Sequence, residues 1–246
     1  MPDIYPVKTY NEDLDRIIGG FYPGELTFIC GGNHFGDDQA MFVHSLVKMI
    51  TFGSGLKGIL FTNYDSPYTV LSGFIHSFSG LRESDSDKIL KKAITKQVYD
   101  LPLIIKFSNS DLYIKDFCNE VRYYFKYKGI KIIYMARYLR NLMEDNQIGI
   151  CQSVEDSVLL FKKLKRLAQE LNIPIIITYE ITADILFISK RLTEILNVPS
   201  TILNLGRSQH NSDYSFYQTP LSVMKTHDGK LGKFLLNNYT DVVPFF

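Results

Sequence analysis

No apolar run in this chain approaches the roughly 18 residues that a membrane-spanning helix needs, and no signal-peptide pattern opens it. The expectation is a cytoplasmic protein with no membrane partner. Cysteine is scarce: Cys30, Cys118 and Cys151 are scattered and form no C-x-x-C pair. That pattern fits a reducing cytosol and buried apolar thiols better than a redox or zinc motif. The five histidines also lack metal-ligand spacing, so no metal is expected. A basic surplus is missing too, with 27 Lys plus Arg against 26 Asp plus Glu and a formal net charge of +1. Dedicated nucleic-acid domains usually carry a clear excess of cations. Overall charge therefore gives no support to nucleic-acid binding, although a local stripe of cations stays compatible with it. Repeats, low-complexity tracts and a convincing interdomain linker are all absent, so residues 1–246 are expected to form a single domain.

What is present is ordinary globular composition, 46% hydrophobic and 22% charged, in a chain of 246 residues. That length suffices for one large α/β domain with a well-buried core. Short apolar runs alternate with longer periodic segments, which predicts βα units and a mostly parallel central sheet flanked by helices. Buried strands are expected at 25–32, 58–63, 101–107, 130–135, 173–179 and 201–205. Helices are expected over 38–51, from 66 to near 80, and over 85–98, 111–128, 154–171 and 184–196. Asp228-Gly229 lies between two apolar runs, 221–227 and 230–237, a strong signal for a two-residue turn in a C-terminal antiparallel hairpin. The polar stretch 206–219 reads as a long mobile loop.

Between the first strand and the first long helix, residues Gly31 to Asp38 read G-G-N-H-F-G-D-D. A working phosphate-binding loop reads G-x-x-x-x-G-K-[S/T], where lysine meets the phosphates and the hydroxyl holds magnesium. Gly31 and Gly36 keep that glycine spacing, but Asp37 replaces the lysine and Asp38 the hydroxyl. An anion about 4 Å from phosphate turns an attraction of roughly 4 kcal/mol, at an effective dielectric near 20, into comparable repulsion. A carboxylate there can instead accept backbone amides at the helix start, taking the phosphate's own position. The plainer reading is a capped helix. Both predict that ATP and magnesium bind weakly or not at all.

Three further segments carry a resemblance. Residues 13–26, D-L-D-R-I-I-G-G-F-Y-P-G-E-L, resemble the L-D-x-x-x-G-G-x-x-P-G-E-L signature of RecA-like ATPases such as DnaB-type helicases, RadA and KaiC. Residues 167–182, L-A-Q-E-L-N-I-P-I-I-I-T-Y-E-I-T, are similar to the DnaB stretch L-A-K-E-L-N-I-P-V-I-A-L-S-Q-L-S. The segment from Val223, V-M-K-T-H-D-G-K-L-G-K-F-L-L-N, resembles that family's closing hairpin. The likeness runs from about Tyr10 to Phe245 and implies a RecA-like P-loop NTPase fold, matching the motor domain alone.

The resemblance also assigns roles, and this chain departs from each. The catalytic glutamate falls on Tyr64, with Asp65 beside it. Asp65 could serve as base after a one-residue shift, or could simply cap the helix that begins at Ser66-Pro67. The magnesium-organising acid should end the strand 130–135, where the candidates are Tyr134, Met135 and Ala136. The γ-phosphate-sensing glutamine falls on Glu180. The arginine finger falls on His227, with Lys225 retained. Neutral histidine lacks the permanent, forked charge of arginine. One such loss could mark a variant mechanism; five together argue against hydrolysis.

Basic and aromatic segments supply the remaining hints. Lys190 and Arg191, with Arg137 and Arg140, lie near where the family's DNA-facing loops would emerge. Lys162, Lys163, Lys165 and Arg166 share one helix, and Tyr123, Tyr124, Phe125 and Tyr127 could stack on bases. Each group also reads as a solvated or packed helix face. The favoured reading is a non-hydrolysing, DnaB-like binding or assembly factor tied to DNA replication or recombination. Its candidate partners are further copies of itself, a replicative helicase and single-stranded DNA. The alternatives are an unconventional nucleotide-binding ATPase or helicase, with Asp37 and Asp38 holding a bridging metal, or a DNA-binding accessory protein.

Overall fold

The computed structural model describes residues 5–31, 37–63, 66–79, 95–96, 100–108, 112–136, 138, 142–143, 154–179, 189–206, 209–211 and 216–239. Helices are α1 (Glu12–Ile18), α2 (Asp37–Ser54), α3 (Pro67–Ser79), α4 (Ile114–Lys128), α5 (Val154–Leu171) and α6 (Ser189–Asn197). Strands are β1 (Leu26–Gly31), β2 (Gly58–Thr62), β3 (Leu103–Phe107), β4 (Leu112–Tyr113), β5 (Ile132–Ala136), β6 (Leu142–Met143), β7 (Ile175–Thr178), β8 (Thr201–Leu205), β9 (Gln209–Asn211), β10 (Phe216–Lys225) and β11 (Gly232–Tyr239).

The main sheet runs β11-β10-β8-β1-β7-β5-β2-β3, with β9 also paired to β10. From β8 to β3 every pairing is parallel, while β8–β10 and β10–β11 are antiparallel. A short parallel pair, β4 with β6, lies apart. This is the expected architecture of a mostly parallel sheet with a closing hairpin.

The parallel strands are buried on both faces, which explains their continuous runs of isoleucine and leucine. Successive side chains serve different cores, as a period of two requires. Leu26, Phe28, Cys30, Ile59, Phe61, Ile133, Met135, Ile175 and Ile177 meet α4, α5 and α6 through Phe117, Val121, Phe161, Leu164 and Ile195. Ile29, Leu60, Ile132, Tyr134, Ile176 and Leu203 meet α1, α2 and α3 through Leu14, Val43, Leu46, Val47 and Phe74. Two aromatic trios pin α4 and α5 to the first face. Phe28, Phe161 and Tyr179 have ring centroids 4.6 to 5.5 Å apart, and Phe61, Phe117 and Tyr138 have theirs 4.8 to 5.9 Å apart. Burial pushes the Cys30 thiol up to about 12, so it is an inert core residue.

Several boundaries differ from expectation for local reasons. Asn11 caps α1, its side chain accepting from Leu14 N at 3.0 Å, an element the periodicity did not announce. The expected helix at 111–128 starts at Ile114, because Leu112 and Tyr113 pair with β6. The stretch 206–219 is no long loop. Gln209–Asn211 forms β9 and Phe216 opens β10, since the backbone partners of β10 and β11 stabilise strands that polar side chains disguise. The hairpin turn is also wider than two residues. Pairing of β10 with β11 ends at Val223 and Gly232, and the pairing of β10 with β8 shifts register between Val223 and Lys225. Gly229 still supplies the left-handed residue, with φ +77°. Of the expected helix 85–98 only 95–96 lie among the described residues.

Candidate functional site

In open parallel sheets ligands settle beyond the carboxyl ends of the strands, where the strand order reverses. Here that point is β1. From β1 the chain travels outward to β2 and β3, returns through β5 and β7, then crosses to β8 on β1's other side. The carboxyl ends of β1, β7 and β8 therefore border one crevice, and α2 begins beside it at Asp37. A helix N-terminus placed so presents free amides toward the crevice.

Gly31, at the end of β1, has φ +77°. A Cβ there would collide with the carbonyl oxygen of Leu205 and lie 2.5 Å from Asn204 Oδ1 on β8. Its glycine is thus required by strand packing, whatever the crevice holds. Gln39, in the first turn of α2, reaches back to the end of β1. Its Nε2 donates to Gly31 O at 2.7 Å, and the side chain is only 2% exposed. Sequence reasoning passed over Gln39, and nothing in its spacing could have announced a bond back to β1.

Beside β1, the end of β7 is held in register by Tyr179 N donating to Ile29 O at 2.9 Å. Thr178 Oγ1 donates to Met135 O at 3.4 Å, tying β7 to β5. The closing residues of β5, Tyr134, Met135 and Ala136, are all at most 1% exposed. Tyr134 projects into the α2 face, where Gly58 makes room: a Cβ on Gly58 would meet its ring at 3.0 Å. Its hydroxyl has no hydrogen-bond partner among the described residues. Burial drives that phenol well above its ordinary range, so it stays protonated. His44 on α2 is likewise buried, and desolvation lowers it to about 4, so it is neutral at pH 7.

The finger position lies elsewhere. His227 is exposed in the turn after β10, its ring 4.0 Å from that of Tyr22. Lys225 pairs with Ile202 near the start of β8, which puts the turn at the amino end of the parallel strands. The crevice is at the other end, roughly 15–20 Å away at 3.3 Å per residue. Within one chain His227 and the loop cannot share a ligand. Lys225, the retained cation, is occupied: its Nζ donates to Leu196 O and Asn197 O, each at 3.1 Å, closing α6. Desolvation is the larger cause of its lowered pKa, with repulsion from Lys165 second. Lys165 itself donates to Ser200 Oγ and faces half-buried Glu25.

Of the other expected site residues, Asp37 and Asp38 are the first two residues of α2, and Lys190 and Arg191 lie in the first turn of α6. Gly36, Tyr64, Asp65, Glu180, Arg137 and Arg140 fall outside the described residues. On α4, Tyr123 and Tyr127 are exposed, 50% and 62%, whereas Tyr124 and Phe125 pack against the core. Among the described residues, no group of three or more His, Cys, Asp or Glu side chains could hold a metal. No described helix is long and apolar enough to cross a membrane.

No family model and no curated protein matches this chain. Solved structures do. One solved ATPase domain aligns with a TM-score of 0.77 at 13% identity, over 97% of this chain and 90% of that one. A DnaB-like replicative helicase, solved for its interactions with primase, aligns with a TM-score of 0.72 at 15% identity. That alignment covers 95% of this chain, which spans 59% of the helicase chain. The fold is therefore RecA-like, of the kind that DnaB-like helicase ATPase domains adopt.

Proposed function

From that shared fold we propose that the protein is a catalytically degenerate counterpart of DnaB-like helicase motors. It acts without hydrolysis, as a binding or assembly factor linked to DNA replication or recombination. The observation that carries this reading is the end of β5. Magnesium chemistry on phosphates needs a hard oxygen ligand beside the phosphate loop. The chain offers Tyr134, Met135 and Ala136 there, all buried and none acidic. Asp37 and Asp38 in place of lysine and hydroxyl, Tyr64 in place of glutamate, Glu180 in place of glutamine and His227 in place of arginine point the same way.

What the frame keeps is geometry for packing. Gly31 is needed by β8 and Lys225 by α6, so both persist without ATP. Such a domain fits against further copies of itself or against an active replicative helicase. The helicase structure with which it aligns was solved for contacts with primase, and association of that general kind is the proposed use here.

The test is ATP turnover by the purified protein, with and without single-stranded DNA, beside calorimetric titration with magnesium-ATP. Neither turnover nor tight binding is expected. Hydrolysis that disappears in Asp65→Ala would end this reading, and magnesium-dependent binding lost in Asp37→Ala would replace it with a nucleotide sensor.

A further inference from the structure

Net charge hides a strong local asymmetry on the face of the sheet opposite α2. A groove of about 360 Å³ runs between α4 and α5. Its walls carry Lys115, Arg122, Lys163 and Arg166 against one carboxylate, Glu170. The chain as a whole is only +1. Arg122 grips Glu170 in a two-pronged ion pair, Nε to Oε1 and Nη2 to Oε2, both 2.7 Å. That pair engages the single carboxylate of the groove's described lining, so the lining keeps a net positive charge. Ile114, Cys118 and Leu167 give the groove an apolar floor.

Arg122 of α4 stands beside Glu170 of α5, while Lys115 of α4 and Lys163 and Arg166 of α5 line the same groove; Asp156, seven residues before Lys163, shares that face of α5. On α4 the cations continue to Lys126, roughly 16 Å from Lys115 at 1.5 Å per residue. Over the solvent crest of α4, toward the flank that carries Tyr124 and Glu120, stand Tyr123 and Tyr127, four residues apart, with ring centroids 5.0 Å from each other. Both are exposed. Lys126 Nζ lies 5.1 Å from the centre of the Tyr127 ring. Of the carboxylates on α4, Glu120 is held by Lys106 at 2.8 Å, and Asp116 sits near the outer end.

Cations beside open aromatic faces are what a single strand of nucleic acid requires: charge for the phosphates and flat rings for unpaired bases. An acidic peptide would match the cations but gain nothing from the rings. A duplex would hide its bases from them. We propose that the α4–α5 groove and its tyrosine edge form a binding surface for single-stranded nucleic acid. It does not rest on the proposed function, since it lies across the sheet from α2 and needs no nucleotide.

The test is fluorescence anisotropy of labelled oligothymidylate and oligouridylate against the full chain over a range of salt. Binding should weaken as salt rises, with a log–log slope near −0.7 for each phosphate contact. The double variant Lys115→Glu/Arg166→Glu should lose at least tenfold in affinity and flatten the slope. Tyr123→Ala and Tyr127→Ala should each cost about fivefold without changing the slope. Glu170→Gln should bind more tightly, because it frees Arg122; a purely structural ion pair would not produce a gain. Circular dichroism melts confirm that each variant is folded. Three results overturn the proposal: no salt-dependent binding at low salt, binding indifferent to the charge reversals, or polyphosphate and polyglutamate competing as well as the oligonucleotides while both tyrosine variants bind normally. That last result would assign the groove to an acidic partner.

Discussion

Lys225 Nζ donates to the carbonyl oxygen of Asn197 at 3.1 Å, fastening the closing hairpin to the last turn of α6. A second bond at the same distance reaches Leu196 O. A cation at a helix C-terminus satisfies open carbonyls and opposes the negative end of the dipole. Lys225→Met should therefore destabilise the fold by about 1–2 kcal/mol in urea unfolding. His227→Ala, two residues on, should cost less than about 1 kcal/mol, since the losses are an exposed ring contact with Tyr22 and a partly screened attraction to Glu25. Equal costs would refute the division between a structural lysine and a vacated finger.

Gly31→Ala should destabilise the protein by roughly 2–5 kcal/mol. It combines a left-handed backbone penalty of about 1–3 kcal/mol with a collision against β8 of similar size. Denaturant midpoints measured with and without magnesium-ATP should shift equally. A cost seen only in nucleotide binding would show that the glycine serves a ligand.

Tyr134→Phe removes a buried hydroxyl that has no partner among the described residues. Leaving such a group unsatisfied costs about 1–3 kcal/mol, so the variant should match or exceed the parent in stability. A fall of more than about 1 kcal/mol in calorimetry would reveal an unsuspected bond.

His44 ties stability to acid. Burial lowers its folded-state value to about 4, against an ordinary 6.5. Between those values the unfolded chain binds the proton and the folded chain does not, so stability falls with falling pH. The penalty is absent above about pH 7 and fully developed below about pH 4. At 1.36 kcal/mol per unit it reaches about 3 kcal/mol. His44→Leu should flatten this part of the stability profile; an unchanged slope would place the acid sensitivity elsewhere.

Strand and helix identities were readable where burial on two faces leaves unbroken apolar runs, as in I-I-I-T of β7, or where periodicity is strong, as in α5. What could not be read was relational. β9 and the start of β10 are polar, and their backbones are stabilised by neighbours distant in sequence. Lys225 looked like the remnant of a catalytic motif until its carbonyl partners on α6 were placed. The cations of α4 and α5 are distant in sequence, and only packing brings them to one groove.

Because the backbone of β8 leaves no volume at Gly31 for even a methyl group, the sheet itself demands glycine there, whether or not a nucleotide visits. At this position a glycine reports on strand packing before it reports on any ligand.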